Sequence, residues 1–534
     1  MMAAVPVVAQ DSVDSSSFQA VFFDAQWQVS QSKDLLVHEE AERREGVRHI
    51  YLTSLGSPVG FPDLLPTQQY FLPLGYVMDE AITRRLNYMI QGPMPVVTWR
   101  GQSAHGQGQD FGLVAAMSVS PRSHWMVDFS RMHAYGLLRN EFFFQDYGSV
   151  WHDWQSEDGE RRFRAKLDVV SGHALHSGGV VDPDEVDSLV FENQTALMTQ
   201  WTDAESNYAH LGLDMRYSWR SMFIQLDAQR SHRYFQVPSE DISDSLWGRH
   251  MTVSAGAGDS TYLALGLRHR LQWSGESTEQ NGPITDPFIA GRIHLSRGGN
   301  LDGRFFLRSR TYHLKYLTYR GVSIQSRREL LPLWMADLVP AYTENKLELN
   351  TQAIKLTYAT LSATPVLRGD QWLDEPYWDL RDPMNYWRVD GGDDLELHRW
   401  ILSFRGVFAG ASSRDAAIPA LTLKGAVTRV WKVGSDVRPM RLKLGVNSMA
   451  WSGGWKQPFY DERVQQFVLP SSELLAEPGM LVHFTASVEM PQAEIQLQVQ
   501  NANQGWMPNA VFMASHYPQP PLTVRLSGKW RMFN

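Results

Sequence analysis

Long stretches of strict apolar–polar alternation constrain this chain more than any other feature, because a period of two puts every second side chain on the same face of an extended strand. Phe163, Ala165, Leu167 and Val169 fall on one face, with Arg162, Arg164, Lys166 and Asp168 on the other. Ala209, Leu211, Leu213, Met215 and Tyr217 form a second apolar row, opposed by His210, Gly212, Asp214 and Arg216. The same pattern recurs at Met222–Ala228, at Leu263–Trp273, at Met440–Val446, at Val482–Met490, at Ala493–Val499 and at Leu522–Met532. Soluble strands cluster at roughly 5–6 residues, whereas a strand crossing a bilayer at a tilt needs about 9–11. Several of these runs reach the longer figure, and their polar faces carry Arg and Lys rather than Ser and Thr. The pattern therefore predicts an all-β, transmembrane, antiparallel up-and-down β-barrel; the competing fold is a soluble β-sandwich, whose runs are shorter.

Composition narrows the choice by exclusion. With 534 residues and 43% hydrophobic content the chain can build a large core or a large barrel, and its mean hydropathy of -0.32 resembles that of soluble proteins. No segment approaches the ~18 uninterrupted apolar residues of a membrane-spanning helix, so any membrane crossing must be made by strands. The absence of cysteine excludes disulfides, thiolate metal sites and a Cys nucleophile. A net charge of -9 gives no footprint for nucleic acid, and none is expected as a partner. Aromatic residues reach 12%, with 19 Trp and 19 Tyr, which suits aromatic girdles at two membrane interfaces. Large carbohydrate-binding proteins share that richness in Trp.

Residues 1–45 read as a signal-like and N-terminal periplasmic segment, and residues 46–534 as the barrel. Met1 to Gln10 resembles the tail of a secretory signal peptide, without a charged n-region and with too short an apolar run. A start placed upstream of Met1, or a floppy terminus, accounts for it. Lys33–Gly46 is the best helix candidate, with Asp79–Leu86 a shorter second. Counting alternating runs suggests roughly 14–18 strands, an even number being expected. Short connections are expected at Ser120–Arg122, Trp219–Arg220 and Glu489–Gln492. Long ones are expected at Gln145–Glu160, Gly178–Glu192, Gln236–Asp259 and Ala363–Asp394, giving short periplasmic turns and long extracellular loops.

The chain stops on its last alternating run, Lys529-Trp530-Arg531-Met532-Phe533-Asn534. A terminal aromatic strand, here Trp530 and Phe533, is what the barrel-insertion machinery reads. Together with Gln498–Gly505, His516–Pro521, Tyr51–Pro58, Arg304–Arg308 and the Trp/Phe-rich strands between Asp110 and Phe144, this ending resembles the porin family of Bacteroidetes-type bacteria. The resemblance runs patchily from about residue 47 to the end. It implies an outer-membrane location, a β-barrel and passive channel activity, and it brings no functional residues with it.

No constellation favours catalysis, and neither an enzyme activity nor a cofactor is expected. His38-Glu39-Glu40 lacks the second His that a metalloprotease helix needs, so a solvated helix explains it better. His173 and His176, three apart, are a weak metal candidate. Val253-Ser254-Ala255-Gly256 lacks the glycine pair of a nucleophile elbow, and the glycine run through Gly258 reads as a hairpin turn. Gly391-Gly392-Asp393-Asp394 lacks the spaced carboxylates of a calcium loop. What remains is lumen charge. If the polar faces point inward, Arg162, Arg164, Lys166, Arg216, Arg268, Arg270, Arg441 and Lys443 line the pore, offset by Asp168, Asp214, Asp227 and Glu494, and such cations favour anionic solutes. The plainer alternative is that they only solvate the wall and pair across strands. The function expected is a porin-like channel for passive diffusion of small polar solutes with an anionic lean, with outer-membrane lipid and the insertion machinery as partners. The alternatives are a barrel acting as scaffold or surface-binding component, and a soluble exported carbohydrate-binding protein using the Trp-rich Gln371–Trp387 segment.

Overall fold

The computed structural model describes the strands from Val96 to Phe533 and most of their connections. It also describes four short strands ahead of them, Gln28–Gln31, His49–Tyr51, Pro58–Gly60 and Tyr88–Gln91. The rest of residues 1–95, including both helix candidates, His38 and the expected boundary at residue 45, lies outside the described residues, as do the central parts of several long loops.

Twenty-two antiparallel strands close into one barrel. They begin with β1 (Val96–Ala104), β2 (Gly108–Ser120), β3 (Ser123–Tyr135), β4 (Phe142–Gln155), β5 (Arg161–His176) and β6 (Ala204–Trp219). Next come β7 (Met222–Val237), β8 (Ile242–Gly258), β9 (Tyr262–Ser274), β10 (Asn281–Leu295), β11 (Gly299–Phe306) and β12 (Thr311–Leu317). β13 (Ser323–Leu331), β14 (Tyr342–Asn350), β15 (Ile354–Leu361), β16 (Met384–Leu397) and β17 (Trp400–Ala411) follow. The circuit ends with β18 (Leu421–Val433), β19 (Met440–Trp451), β20 (Gly479–Glu489), β21 (Ala493–Gln500) and β22 (Thr523–Phe533). Each strand pairs with its sequence neighbour, and β22 pairs with β1 from Phe533↔Val96 to Arg525↔Ala104. Closure removes the unpaired edge that hydrocarbon cannot tolerate. Among the described residues the only helical turn is the 3-10 segment Pro238–Glu240.

The alternation sorts as its chemistry demands. Leu167, Val169, Leu211, Tyr217, Ile224, Leu263, Leu265, Leu444, Ile495 and Leu526 are exposed on the outer wall, while Arg164, Lys166, Asp168, His210, Asp214 and Arg268 are buried inside. An outer apolar surface of this extent would be untenable in water and is what a bilayer requires. The barrel is therefore an outer-membrane protein, and the soluble carbohydrate-binding alternative is set aside. Aromatic residues mark both edges of the belt. Trp125, Tyr217, Trp219, Trp400 and Trp530 are exposed near the end that carries Val96 and Phe533, and Tyr135, Tyr358, Trp387 and Phe408 near the other. Arg429 lies between Trp400 and Trp431, its guanidinium 5.2 and 4.9 Å from the two ring centres. Ten residues separate Trp125 from Tyr135 on β3, which at ~3.3 Å per residue and a ~40° tilt spans about 25 Å, the height of an outer-membrane apolar band.

Connections at the Val96/Phe533 end are short, running from Pro121–Arg122 to the 434–439 segment, whereas the opposite end carries 177–203, 362–383, 452–478 and 501–522. That asymmetry matches the one expected between turns and loops, but its positions needed correcting. Gln145–Glu160 is mostly strand β4, whose outward row is interrupted by Asp146, Gly148 and His152, and Gln236–Asp259 is mostly β8, whose half nearer the loops carries Ser243, Asp244, Ser245 and Arg249. The last third of Ala363–Asp394, from Met384 on, belongs to β16. The strand number exceeds the expected 14–18 because β11 to β15 are only seven to nine residues long and their alternation is broken by Gly, Asp and Lys.

Candidate functional site on the inner wall

Period-two geometry brings the polar rows of neighbouring strands into register inside the barrel. Asp153, Arg164, Arg216 and Gln225 stand side by side on β4 to β7, with Trp151, Lys166, Asp214 and Asp227 one level nearer the loop end. Charges facing a confined interior must find partners, because an unpaired buried ion costs several kcal/mol. They do so here. Arg162 Nε and Nη2 donate to the two carboxylate oxygens of Asp153 at 2.9 and 2.6 Å, and Arg164 lies 3.4 Å from the same group. Lys166 Nζ sits 2.9 Å from Asp168, whose second oxygen is 3.5 Å from His210 Nε2. Gly212 opposes Asp168 in register, and a Cβ there would collide with that carboxylate, so the glycine is what admits it.

Aromatic faces cover the remaining flanks of these cations. Lys166 lies over Trp151 at 4.8 Å and Arg216 over Phe223 at 4.3 Å, separations at which a ring quadrupole attracts a cation. The arrangement repeats on β9 to β12. Arg268 lies 3.7 Å over Phe306 and 3.6 Å from Asp286, while Arg304 lies 4.4 Å over Phe288. Asp286, fully buried, also accepts from the backbone N–H groups of Arg308 and Ser309 at 2.9 and 3.3 Å and from the Ser309 hydroxyl. Arg292 donates to Asp302 at 2.5 Å. On β14 to β16, Glu348 takes Lys346 at 2.8 Å and Lys355 at 3.1 Å, and Arg388 pairs with Asp390 at 2.6 Å.

Of the residues singled out in the sequence, Arg162, Arg164, Lys166, Arg216 and Arg268 belong to this paired wall. Arg270 stands in register with His250 on β8. Arg441 is exposed near the short-turn end, and Lys443 reaches Glu489 at 2.9 Å, on a separate part of the circuit. Trp530 is exposed on the outer wall beside Trp99 in register, and Phe533 pairs with Val96. Sequence reasoning missed Asp153, Asp286, Arg292, Asp302, Arg304, Glu348 and Arg388. The inward row of β10, from Asp286 through Phe288 and Ala290 to Arg292, was legible in principle but masked by Pro287 and Gly291 in the outward row. The metal candidates dissolve: His176 points inward to the Ser206 hydroxyl at 2.7 Å, while His173 contacts Asn207 on the outer face. Three residues apart on a strand is an odd spacing, which sends the two rings to opposite faces. Gly391 to Asp394 is barrel strand rather than loop, and Ser254 is a buried inward side chain of β8.

Toward the loop end the inner wall turns apolar. Met132, Phe143, Tyr147, Val170, Ala174 and Tyr208 pack together, and the Tyr208 ring fills the space over Gly172. Above them the connections knit to one another. The Ser177 hydroxyl donates to Glu141 at 2.6 Å, Asn140 donates to the His176 carbonyl at 3.0 Å, and Val180 N–H donates to the His516 carbonyl at 2.9 Å. His516 belongs to the 501–522 connection between β21 and β22, so this contact passes over β1 to β4.

The closed sheet, apolar belt and charged interior define a 22-stranded outer-membrane β-barrel. No family model matches the chain, and no curated protein sequence matches it. Solved structures do. The FrpB iron transporter from Neisseria meningitidis superposes with a TM-score of 0.54 at 10% identity, covering 83% of this chain and 82% of that one. The siderophore receptor PirA from Acinetobacter baumannii gives 0.55 at 9% identity over 83% and 82%. The ferric-catecholate import receptor Fiu from E. coli gives 0.54 at 10% over 83% of each chain. At such identities the likeness is one of fold. It agrees with the outer-membrane barrel implied by the sequence resemblance and does not extend to the Bacteroidetes porin family.

Proposed function

We propose that this barrel is an outer-membrane transporter that takes up a specific small polar solute through a gated interior, and not an open diffusion pore. The observation that carries the reading is the inner wall from β4 to β12, where Arg162, Arg164, Lys166, Arg216 and Arg268 are committed to carboxylates and rings. Barrel size supports it, since barrels of about 16–18 strands leave an aqueous channel whereas those of about 22 hold a plugged lumen. The solute class we favour is an anionic metal chelate. The fold shared with an iron transporter and siderophore receptors supports that class, as does the mouth, where Arg233 lies 5.3 Å from the centre of the Phe235 ring and stands in register with Tyr208.

Planar-bilayer recording of the purified protein tests the reading. The wild type is expected to show no steady ohmic conductance, and uptake of a labelled ferric chelate into cells is expected to saturate. A stable conductance that scales linearly with salt would restore the passive porin in its place. A scaffold role would show as a silent bilayer together with no saturable uptake.

A further inference from the structure

The inner wall from β18 to β21 holds a recess in which the ion pairs take no part. On β19 the inward row runs through Arg441, Lys443, Gly445, Asn447 and Met449, while Leu444 and Val446 are exposed on the outer face. The register sets Gly445 between Thr428 on β18 and Thr485 on β20, with Gln498 of β21 beyond Thr485. A Cβ on Gly445 would stand 2.7 Å from Thr485 Oγ1 and 2.8 Å from Thr428 Oγ1, so both hydroxyls lean over the glycine, one from either side. Asn447 borders the same spot on the side nearer the long loops, and Ser487, in register with Lys443, borders it diagonally from below. Gly445 lies near the middle of the 12-residue strand β19, halfway through the membrane.

Thr428, Asn447, Thr485 and Gln498 are half-buried, and among the described residues none of them, nor Ser487, has a side-chain hydrogen bond. The charged groups beside them are committed elsewhere. Lys443 reaches Glu489 at 2.9 Å, His483 Nδ1 accepts the Asn501 N–H at 3.0 Å, and Arg525, in register beyond Gln498, is buried and engaged. Glycine inside a strand weakens it and is kept where a ligand or another backbone must come close. The atoms that come closest here are the two hydroxyls, and plain solvation of a wet wall calls for neither the glycine nor their convergence.

The chemistry of the five side chains selects a ligand. All are neutral, so an ion would find no counter-charge among them. An apolar solute would strip water from hydroxyls and amides and leave them unsatisfied. Each of the five both donates and accepts, as does every hydroxyl of a sugar, whereas a peptide N–H only donates and a peptide carbonyl only accepts. From this we infer that Thr428, Asn447, Thr485, Ser487 and Gln498, around the floor of Gly445, form a binding site for an uncharged sugar on the inner wall. One edge of the sugar ring enters over Gly445 between the threonine hydroxyls, and the Asn447 and Gln498 amides take the hydroxyls on either side. The site stands apart from the chelate reading, because sugar binding to the purified barrel requires no uptake.

Saturation-transfer NMR on the full chain, in a detergent without a sugar headgroup, tests the inference with maltotriose as the probe and capped triglycine and citrate as comparisons. The wild type is expected to bind maltotriose saturably and about tenfold or more tighter than either comparison, the range of two lost hydrogen bonds. Thr428→Val with Thr485→Val is expected to weaken maltotriose about tenfold on the same ground, and the double Ser variant to keep most of the binding. Gly445→Ala fills the recess and is expected to weaken binding by a similar factor, whereas Ser254→Ala on β8 leaves it unchanged. Heat-modifiable migration shows which variants are closed barrels, and Gly445→Ala with the wild-type comparison decides the matter if the double Val variant does not close. Absence of saturable maltotriose binding overturns the site, as does equal binding of capped triglycine or citrate. So does a closed double Val or Gly445→Ala barrel that binds maltotriose like the wild type.

Discussion

The inner wall from β4 to β12 and the inner wall from β18 to β22 share one backbone geometry and differ in almost everything their side chains do. The first carries Arg, Lys and Asp in rows, buried and interlocked with Trp151, Phe223, Phe288 and Phe306. The second sets Thr485, Gln496, Gln498 and Ser527, most of them half-buried, between charges such as Arg525 and the Lys443–Glu489 pair. Charge on a barrel interior is thus not the mark of an open pore. Where it is dense and paired it stiffens the wall, because each ion removed from water must be met by a partner and each partner fixes a neighbouring strand.

This contrast can be broken at several points. The largest effect is expected at Asp286, whose carboxylate holds Arg268, two backbone N–H groups and the Ser309 hydroxyl. Asp286→Ala should cost roughly 3–5 kcal/mol by leaving a buried guanidinium without its counter-ion, read as a fall in the urea midpoint of the barrel in lipid vesicles. Gln498→Ala on the opposite wall should cost less than ~1 kcal/mol in the same assay, and equal losses would erase the distinction between the walls. Next in size is Gly172→Val. The added carbons would displace the Tyr208 ring from the mouth cluster, an overpacking cost of about 1–3 kcal/mol. Lys443→Met removes a half-exposed pair with Glu489 and should shift the midpoint by ~1 kcal/mol or less.

The smallest effect lies in the short turn after β4. The Ser156 hydroxyl donates to Asp158 at 2.5 Å and the Glu160 N–H donates at 2.9 Å, and these bonds hold the Asp158 carboxyl below its ordinary value. A carboxylate depressed in the folded state stabilises the turn above its unfolded pKa and stops doing so as pH falls through the folded one. Hydrogen exchange at Glu160 N–H should therefore stay slow from neutrality down past the ordinary aspartate range and quicken only below it. Faster exchange already between pH 5 and 4 would show that the turn is not held this way.

Much of this architecture was written in the alternation, and the misses have physical causes. Strands β5, β6, β7 and β9 keep a nearly clean outward row through the apolar band, so both their existence and their inward residues could be read directly. Strand β14, Tyr342–Asn350, places Lys346 and Glu348 inside but offers only Leu347 and Leu349 as a short apolar row, too little to distinguish a strand from a loop. Strand β8 failed for the opposite reason, since its outward row carries Arg249 and Trp247 in the half nearer the long loops, which interrupts the apolar alternation. The pairing of the lumen charges was out of reach from sequence, because which Asp meets which Arg depends on register between strands and not on position along one.

The seam between β22 and β1 has a kinetic consequence. The pairs Phe533↔Val96 and Trp530↔Trp99 join residues from the two extremes of the circuit, whereas every other junction joins neighbours in the chain. Loop-closure entropy delays contacts of large sequence separation, so the hairpins can zip in turn while this one junction waits for all the rest. The last hydrogen bonds to form during assembly, and the place where a half-finished barrel stays open longest, are therefore those between the first strand and the last.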